Sequence, residues 1–244
     1  MTSRRSVLQA ATILPFLSGC TSPLRGNNRN YSPSGLPLRR VKVSDERVIR
    51  TIAGLRPFRR SGFVVKAERM NNTIVIHNYG HGGGGITLSW GTAHLAMELA
   101  LQTQHRRCAV LGAGAVGLAT ARLMQDRGWE VTIYSKDLTP NTTSNVAGGQ
   151  WSPTSVYDEG YITPAFEAQF EVAMRHAYRY YQNLVSPTYG VRWISNYVIQ
   201  SEPPDSGVQD FTEKYVDMYP QHMDLTQDQH PFDADYVRHY NTML

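Results

Sequence analysis

The chain has little cysteine: Cys20 and Cys108 are the only two in 244 residues. No metal-ligand spacing accompanies them, so no zinc site is written here, and modification of Cys20 would leave no disulfide framework. Long hydrophobic runs are missing too. The apolar stretch Val7 to Leu17 is too short to span a bilayer. Charge of one sign is scarce, with 24 Lys and Arg against 20 Asp and Glu and a net charge of +4. Much of the excess lies in Arg39, Arg40, Arg47, Arg50, Arg56, Arg59 and Arg60, interleaved with Gly, Pro and Val. No nucleic-acid motif accompanies these arginines, so they read as solvated surface and nucleic acid is not an expected partner. No internal repeat is present. What remains is an ordinary globular composition, 41% hydrophobic and 18% charged, long enough for one large or two small domains.

The first residues, MTSRRSVLQAATILPFLSGC, carry the pair Arg4 and Arg5, then the short apolar stretch, then small residues before Cys20. This pattern fits an export signal over 1–20. The arginine pair after Ser3 resembles a twin-arginine signal, and Leu17 to Cys20 resembles a lipobox whose cysteine becomes lipidated. The expectation is a periplasmic or membrane-anchored lipoprotein, attached only through Cys20, and a cytoplasmic protein if the signal is not used. Residues 21–43 then read as a linker rich in Ser, Pro, Asn and Gly.

Further on, Ser44 to Ile52 predicts a short helix capped by Ser44, and Gly54 breaks it. Phe63 to Ala67 and Thr73 to Asn78 predict strands. Four glycines follow, Gly82 to Gly85, and then a helix over Gly91 to Gln104. Cys108 to Gly112 predicts a buried strand, Ala115 to Gly128 a helix, and Glu130 to Tyr134 a strand. Tyr161 to Val185 predicts a longer helix, and the tail predicts strands near Val191 to Ile194 and Tyr197 to Gln200.

The strongest motif is GAGAVG, with Gly112, Ala113, Gly114, Val116 and Gly117 between an apolar strand and a helix. Gly112 permits the tight turn, Gly114 lets backbone approach a pyrophosphate, and Gly117 lets helix and strand pack closely. The free N–H groups and positive end of the helix would meet the phosphate charge. An acid is expected at the end of the next strand for the ribose hydroxyls; Asp137 is the candidate, one step late. The motif alone does not separate NAD from FAD.

The flanking residues do so by resemblance. Tyr134 to Pro153, YSKDLTPNTTSNVAGGQWSP, resembles the segment after the first βαβ unit of D-amino-acid oxidases, and GLRPFRR and HNYGHGGGGITLSWG resemble two further segments of that family. The resemblance implies FAD as cofactor. It implies an α/β fold with a Rossmann-like FAD-binding domain and part of an α+β substrate domain. It places Thr142, Thr143, Ser144, Gly148, Gly149 and Gln150 against the flavin's diphosphate and ring, and Gly82, Gly84, Gly85, Ile86 and Thr87 around the ring. Arg56 matches the substrate-carboxylate arginine, and Gly83 a position whose carbonyl takes the substrate amino group. Family members often carry a bulky residue at the position of Gly84. No metal and no acid–base side chain is required at the α-carbon.

The family order is altered. Residues 44–104 match the family's C-terminal segment and 105–160 its N-terminal one, so the segments read as circularly permuted, joined through His105 to Arg107. The expected FAD-binding domain is 44–160. Residues 161–244 read as a partial FAD and substrate domain, and the chain as truncated. The implied reaction oxidises a D-amino acid with O2 to a 2-oxo acid, ammonia and hydrogen peroxide. Glycine or D-aspartate oxidation, an inactive flavin-binding remnant and an NAD-binding Rossmann protein stand as alternatives. His77 and His81 read as makers of structural hydrogen bonds.

Overall fold

The computed structural model describes residues 42–203, 214–218 and 222–244. The export segment and most of the linker lie outside these residues. The order of elements is β1 (Val64–Met70), β2 (Thr73–Tyr79), α1 (Gly85–Leu101), β3 (Arg107–Leu111), α2 (Ala115–Asp126), β4 (Glu130–Tyr134), α3 (Pro164–Asn183), β5 (Trp193–Gln200), β6 (Met223–Leu225) and β7 (Tyr236–Met243). β1 and β2 form an antiparallel hairpin, with Asn71 at φ 53° in its turn. β3 and β4 pair in parallel, with Cys108 beside Val131 and Leu111 beside Tyr134. β7 lies between β5 and β6, antiparallel to both.

α1 organises the molecule because it is apolar around most of its circumference. Leu88 and Ala96 join Phe63, Val156, Phe170, Ala173 and Met174 in one core, against β1 and α3. Ala93, Met97 and Ala100 join Ala119, Leu123, Met124 and Trp129 in a second core, against α2. A helix buried on two sides shows little amphipathic pattern. Gly91 sits where a methyl group would come 1.8 Å from the carbonyl oxygen of Ala173, so only glycine lets α1 and α3 approach this closely.

α3 starts as its sequence dictates. Pro164 occupies the first turn, and the Thr163 hydroxyl accepts from Phe166 N at 3.2 Å. Thr163→Ala removes this cap. The expected cost is about 1 kcal/mol, read as a melting temperature lower by roughly 2–4 °C; an unchanged temperature would show the cap to be redundant.

Several expectations change. Ser44 to Ile52 is no helix. Only the 3-10 turn Asp45–Arg47 forms, Ser44 makes no side-chain cap, and Val48, Ile49 and Ile52 are exposed with nothing to bury them. Without tertiary packing so short a helix does not pay for its nucleation. α1 starts at Gly85, not Gly91, because Gly85 adopts helical backbone at φ −58° and ψ −45°. β3 is not a buried strand: residues alternate, and Leu111 is 83% exposed, because α2 covers the face of the β3–β4 pair that carries Cys108 and Val131, while Leu111 and its partner Tyr134 stay open on the other. The two short strands expected in the tail are one continuous strand, β5, and β6 and β7 were not legible.

Candidate functional site

The fingerprint turn is built as the βαβ mechanism requires. β3 runs into Gly112, whose φ of +115° favours glycine. A methyl at Gly117 would lie 2.1 Å from the Gly112 carbonyl oxygen, so α2 packs onto the turn only through glycine. Gly114 is the N-cap of α2 and offers no side chain to the free N–H groups. One is met from outside: Ala115 N donates to Ser144 Oγ at 2.9 Å. The structure thus brings Ser144 against Gly114 and Ala115, at the start of the helix that Gly112, Ala113, Val116 and Gly117 flank. Thr142 holds the neighbouring turn Thr143–Val146 by donating its hydroxyl to Asn145 Oδ1 at 2.8 Å. Asp137 is exposed, three residues beyond the end of β4, and its carbonyl accepts from Ser135 Oγ.

The second cluster forms at the glycine turn. Gly82 N donates to the Pro57 carbonyl at 3.2 Å and Gly83 N to the Ser155 carbonyl at 2.8 Å. The reason for the glycines is close packing. Methyl groups at Gly82, Gly83 and Gly84 would lie 2.3 Å from Ser155 O, 2.9 Å from Ser155 Cβ and 2.7 Å from Val156 Cγ2. A bulky residue at Gly84 has no room unless Val156 moves. Ser155 takes the left-handed φ of 55° to present its carbonyl here, and nothing in the sequence marks it for that role. Just beyond, the Thr87 hydroxyl lies 3.0 Å from Ser152 O and 3.5 Å from Gln150 O, and it accepts from Ser152 N at 3.0 Å. Ile86 accepts from Tyr181 at 2.8 Å. Gln150 Nε2 donates to Tyr240 Oη at 3.4 Å. Gly148 has open space about its α-carbon, and Gly149 takes φ +78°.

Arg56 reaches this cluster. Its Nη1 lies 3.1 Å from where a methyl at Gly83 would stand. The side chain is exposed and makes no hydrogen bond or ion pair among the described residues. Its neighbours differ: Arg60 is bound to Asp158 at 2.7 Å and lies over the Tyr161 ring at 3.6 Å, and Arg59 lies over Tyr79. The segment around Arg56 also links the two clusters, since a methyl at Gly54 would lie 2.6 Å from Val146 Cγ2 and 3.8 Å from Thr143 Cγ2. A free guanidinium over a backbone turn is suited to a carboxylate, which its fork pairs bidentately.

The histidines do structural work. His77 meets Glu68 at 3.1 Å on the hairpin surface. His81 is buried, and desolvation pulls its pKa down to about 4. His176 stacks on His94 at 4.0 Å, and burial first, then the charges of His94 and Arg179, pull it to about 4 as well. Both titrate near 6.5 when unfolded. Below that pH the unfolded chain takes up protons that the folded chain refuses, so stability is full above about 6.5 and falls as pH drops toward 4. For His81 the loss is on the order of 3 kcal/mol. Melting temperatures across this window should fall steeply; a flat profile would mean that neither imidazole is held neutral.

Among the described residues no group of three or more His, Cys, Asp or Glu could hold a metal ion, and no helix is long and apolar enough to cross a membrane.

Comparison with known proteins places these residues in context. The model of the DAO family, FAD dependent oxidoreductase, matches residues 23–99 and 107–230. A D-amino-acid oxidase of Rubrobacter xylanophilus is 50% identical over 59 residues, covering 24% of this chain and 18% of that protein. A D-aspartate oxidase of Cryptococcus neoformans var. grubii is 48% identical over 59 residues, covering 22% and 14%. A D-amino-acid oxidase of Streptomyces coelicolor is 38% identical over 61 residues, covering 25% and 19%. The matched stretches thus span less than a fifth of these relatives. No solved structure gives a significant match.

Proposed function

We propose, from the premise that this chain belongs to the DAO family of FAD dependent oxidoreductases, that it forms the flavin and carboxylate site of a D-amino-acid oxidase. The observation that carries this reading is the unpaired Arg56 guanidinium beside the Gly83 backbone. The residues present fit FAD. The β3–α2 turn leaves a helix N-terminus with no cap from its own N-cap residue, and past the Ala115 N–H taken by Ser144 its first-turn N–H groups suit a pyrophosphate; a side chain at Gly117 would close that turn. In this reading residues 44–160 form a Rossmann-like FAD-binding domain in permuted order, and 161–244 part of the substrate domain.

The fingerprint N–H groups beyond Ala115 hold the diphosphate, and Ser144 fixes the turn by accepting from Ala115 N. Gly82 to Thr87 and Gly148 to Gln150 supply a wall of backbone against which a flat ring can lie. Arg56 pairs with the substrate α-carboxylate, and the Gly83 carbonyl accepts from its amino group, so the α-hydrogen points one way for a D-enantiomer. That positioning is the protein's main contribution. When bound, FAD would supply a hydride acceptor for the α-carbon, leaving an imino acid, and reoxidation by O2 would release hydrogen peroxide. The imino acid then hydrolyses to a 2-oxo acid and ammonia. No side-chain acid or base at the α-carbon is called for.

Similarity to a D-aspartate oxidase favours a second reading in which the substrate is acidic. Comparing kcat/KM for D-alanine and D-aspartate separates the two. The oxidase reading itself is tested by loading the protein with FAD and adding D-alanine without air. Bleaching of the visible flavin absorbance supports it, and an unbleached, flavin-loaded sample refutes it.

The N-terminal motif supports a further proposal, export with lipid attachment at Cys20. Cys20→Ser should move the protein from the membrane to the soluble fraction, and an unchanged distribution would remove the anchor.

A further inference from the structure

The glycine turn has three backbone anchors, and one of them is His81. Gly82 is tied to Pro57 and Gly83 to Ser155, whereas Gly84 N donates to the His81 carbonyl at 3.0 Å. Where the turn enters α1 therefore depends on how His81 is itself fixed. Its ring is 2% exposed and stacks on Phe63 at 5.4 Å and 17°. Its Nε2 lies 2.9 Å from Thr92 Oγ1, one α1 turn beyond Leu88.

The Nε2–H tautomer is the one in which both contacts of the Thr92 hydroxyl are hydrogen bonds. The Thr92 hydroxyl lies 3.2 Å from the Leu88 carbonyl, which can only accept. A hydroxyl carries one proton, and in that arrangement it goes to Leu88. Thr92 Oγ1 then has only lone pairs to offer His81, so the imidazole proton sits on Nε2 and His81 is the donor.

We propose that His81 is a positioning residue for the oxidase site: its Nε2–H bond to Thr92 sets the turn that carries Gly83 beside Arg56, and so sets affinity for the substrate. The inference rests on the oxidase reading. Phe63 and Thr92 hold the ring from β1's approach and from α1. The His81 carbonyl passes that placement to Gly84, and the Ser155 carbonyl holds the far side of Gly83.

The proposal separates a donor from a ring. In His81→Gln the amide nitrogen can take the place of Nε2 and still donate to Thr92. In His81→Asn the amide is too short, and in His81→Phe the ring remains but the donor is gone. Thr92→Val removes the acceptor from the other side. The expected result is a KM for D-alanine near wild type in His81→Gln, and raised about tenfold in His81→Asn, His81→Phe and Thr92→Val, with kcat little changed. A near-wild-type KM in His81→Phe together with a raised one in His81→Gln would overturn the proposal, since packing alone would then explain the residue. Nitrogen NMR of 15N-histidine protein, without substrate or flavin, reads the tautomer directly. A protonated Nε2 supports the donor role, and a protonated Nδ1 overturns it even if a variant fails to fold. Wild-type protein that does not turn over D-alanine sinks the oxidase reading and this role with it. Turnover with a flat KM across the variants sinks the role of His81 alone.

Discussion

Arg56→Ala should raise the KM for D-alanine by about two orders of magnitude while FAD still binds. The expectation rests on an imbalance around the turn. Arg60 already spends its charge on Asp158 and its flat face on Tyr161, and Arg59 lies over Tyr79. Arg56 has neither kind of partner among the described residues, and it stands beside Gly83. A charge-assisted bidentate pair contributes roughly 1.5–3 kcal/mol, more where water is excluded, which is a factor of about ten to a hundred or more. Arg56→Lys keeps the charge and loses the fork, so its KM should fall between wild type and Arg56→Ala. Because Arg56 is exposed, neither change should lower the melting temperature by much. Steady-state kinetics with D-alanine decide this. A KM unchanged in Arg56→Ala would take the residue out of the site.

Gly117→Ala should weaken FAD binding by about one to two orders of magnitude. The new methyl would stand 2.1 Å from the Gly112 carbonyl oxygen and 2.9 Å from its carbon. Those atoms are backbone in a turn already held at φ +115°, so they cannot swing aside like the end of a side chain. α2 must lift away from β3, and the N–H groups of its first turn, which would face the phosphate, move with it. Overpacking of this kind costs about 1–3 kcal/mol. Here it falls on the segment that would contact the cofactor, so affinity and stability should drop together. Quenching of flavin fluorescence on titration with the protein measures the affinity. Wild-type affinity in Gly117→Ala would show that the turn does not hold the diphosphate.

The two motifs were legible to different depths. The fingerprint could be read because each of its glycines has a local cause: Gly112 a turn, Gly117 a strand-to-helix contact. β4 and α2 fell within two residues of expectation for the same reason, since their patterns are short-range. For the glycine run the resemblance implies a loop around a flavin ring. The structure adds that Gly82, Gly83 and Gly84 are small because Ser155 and Val156 press against them. That contact joins residues more than seventy positions apart, and no local pattern carries it. The same holds for Ser155 and for Tyr240, whose roles come from pairing with Gly83 and Gln150. α1 begins six residues before the expected Gly91 because a glycine run reads as loop, whereas burial on two sides makes it a helix. The helix expected at Ser44 to Ile52 had a plausible local pattern and no tertiary partner, and it did not form.

In the proposed function Arg56 and the Gly83 turn hold a D-amino acid at a flavin site. The most direct test is hydrogen peroxide released in air by the purified, FAD-loaded protein given D-alanine or L-alanine in parallel. The expected result is peroxide and 2-oxo acid in equal amounts from D-alanine and none from L-alanine. Flavin-loaded protein that releases no peroxide from D-alanine, or the same amount from both enantiomers, would contradict it.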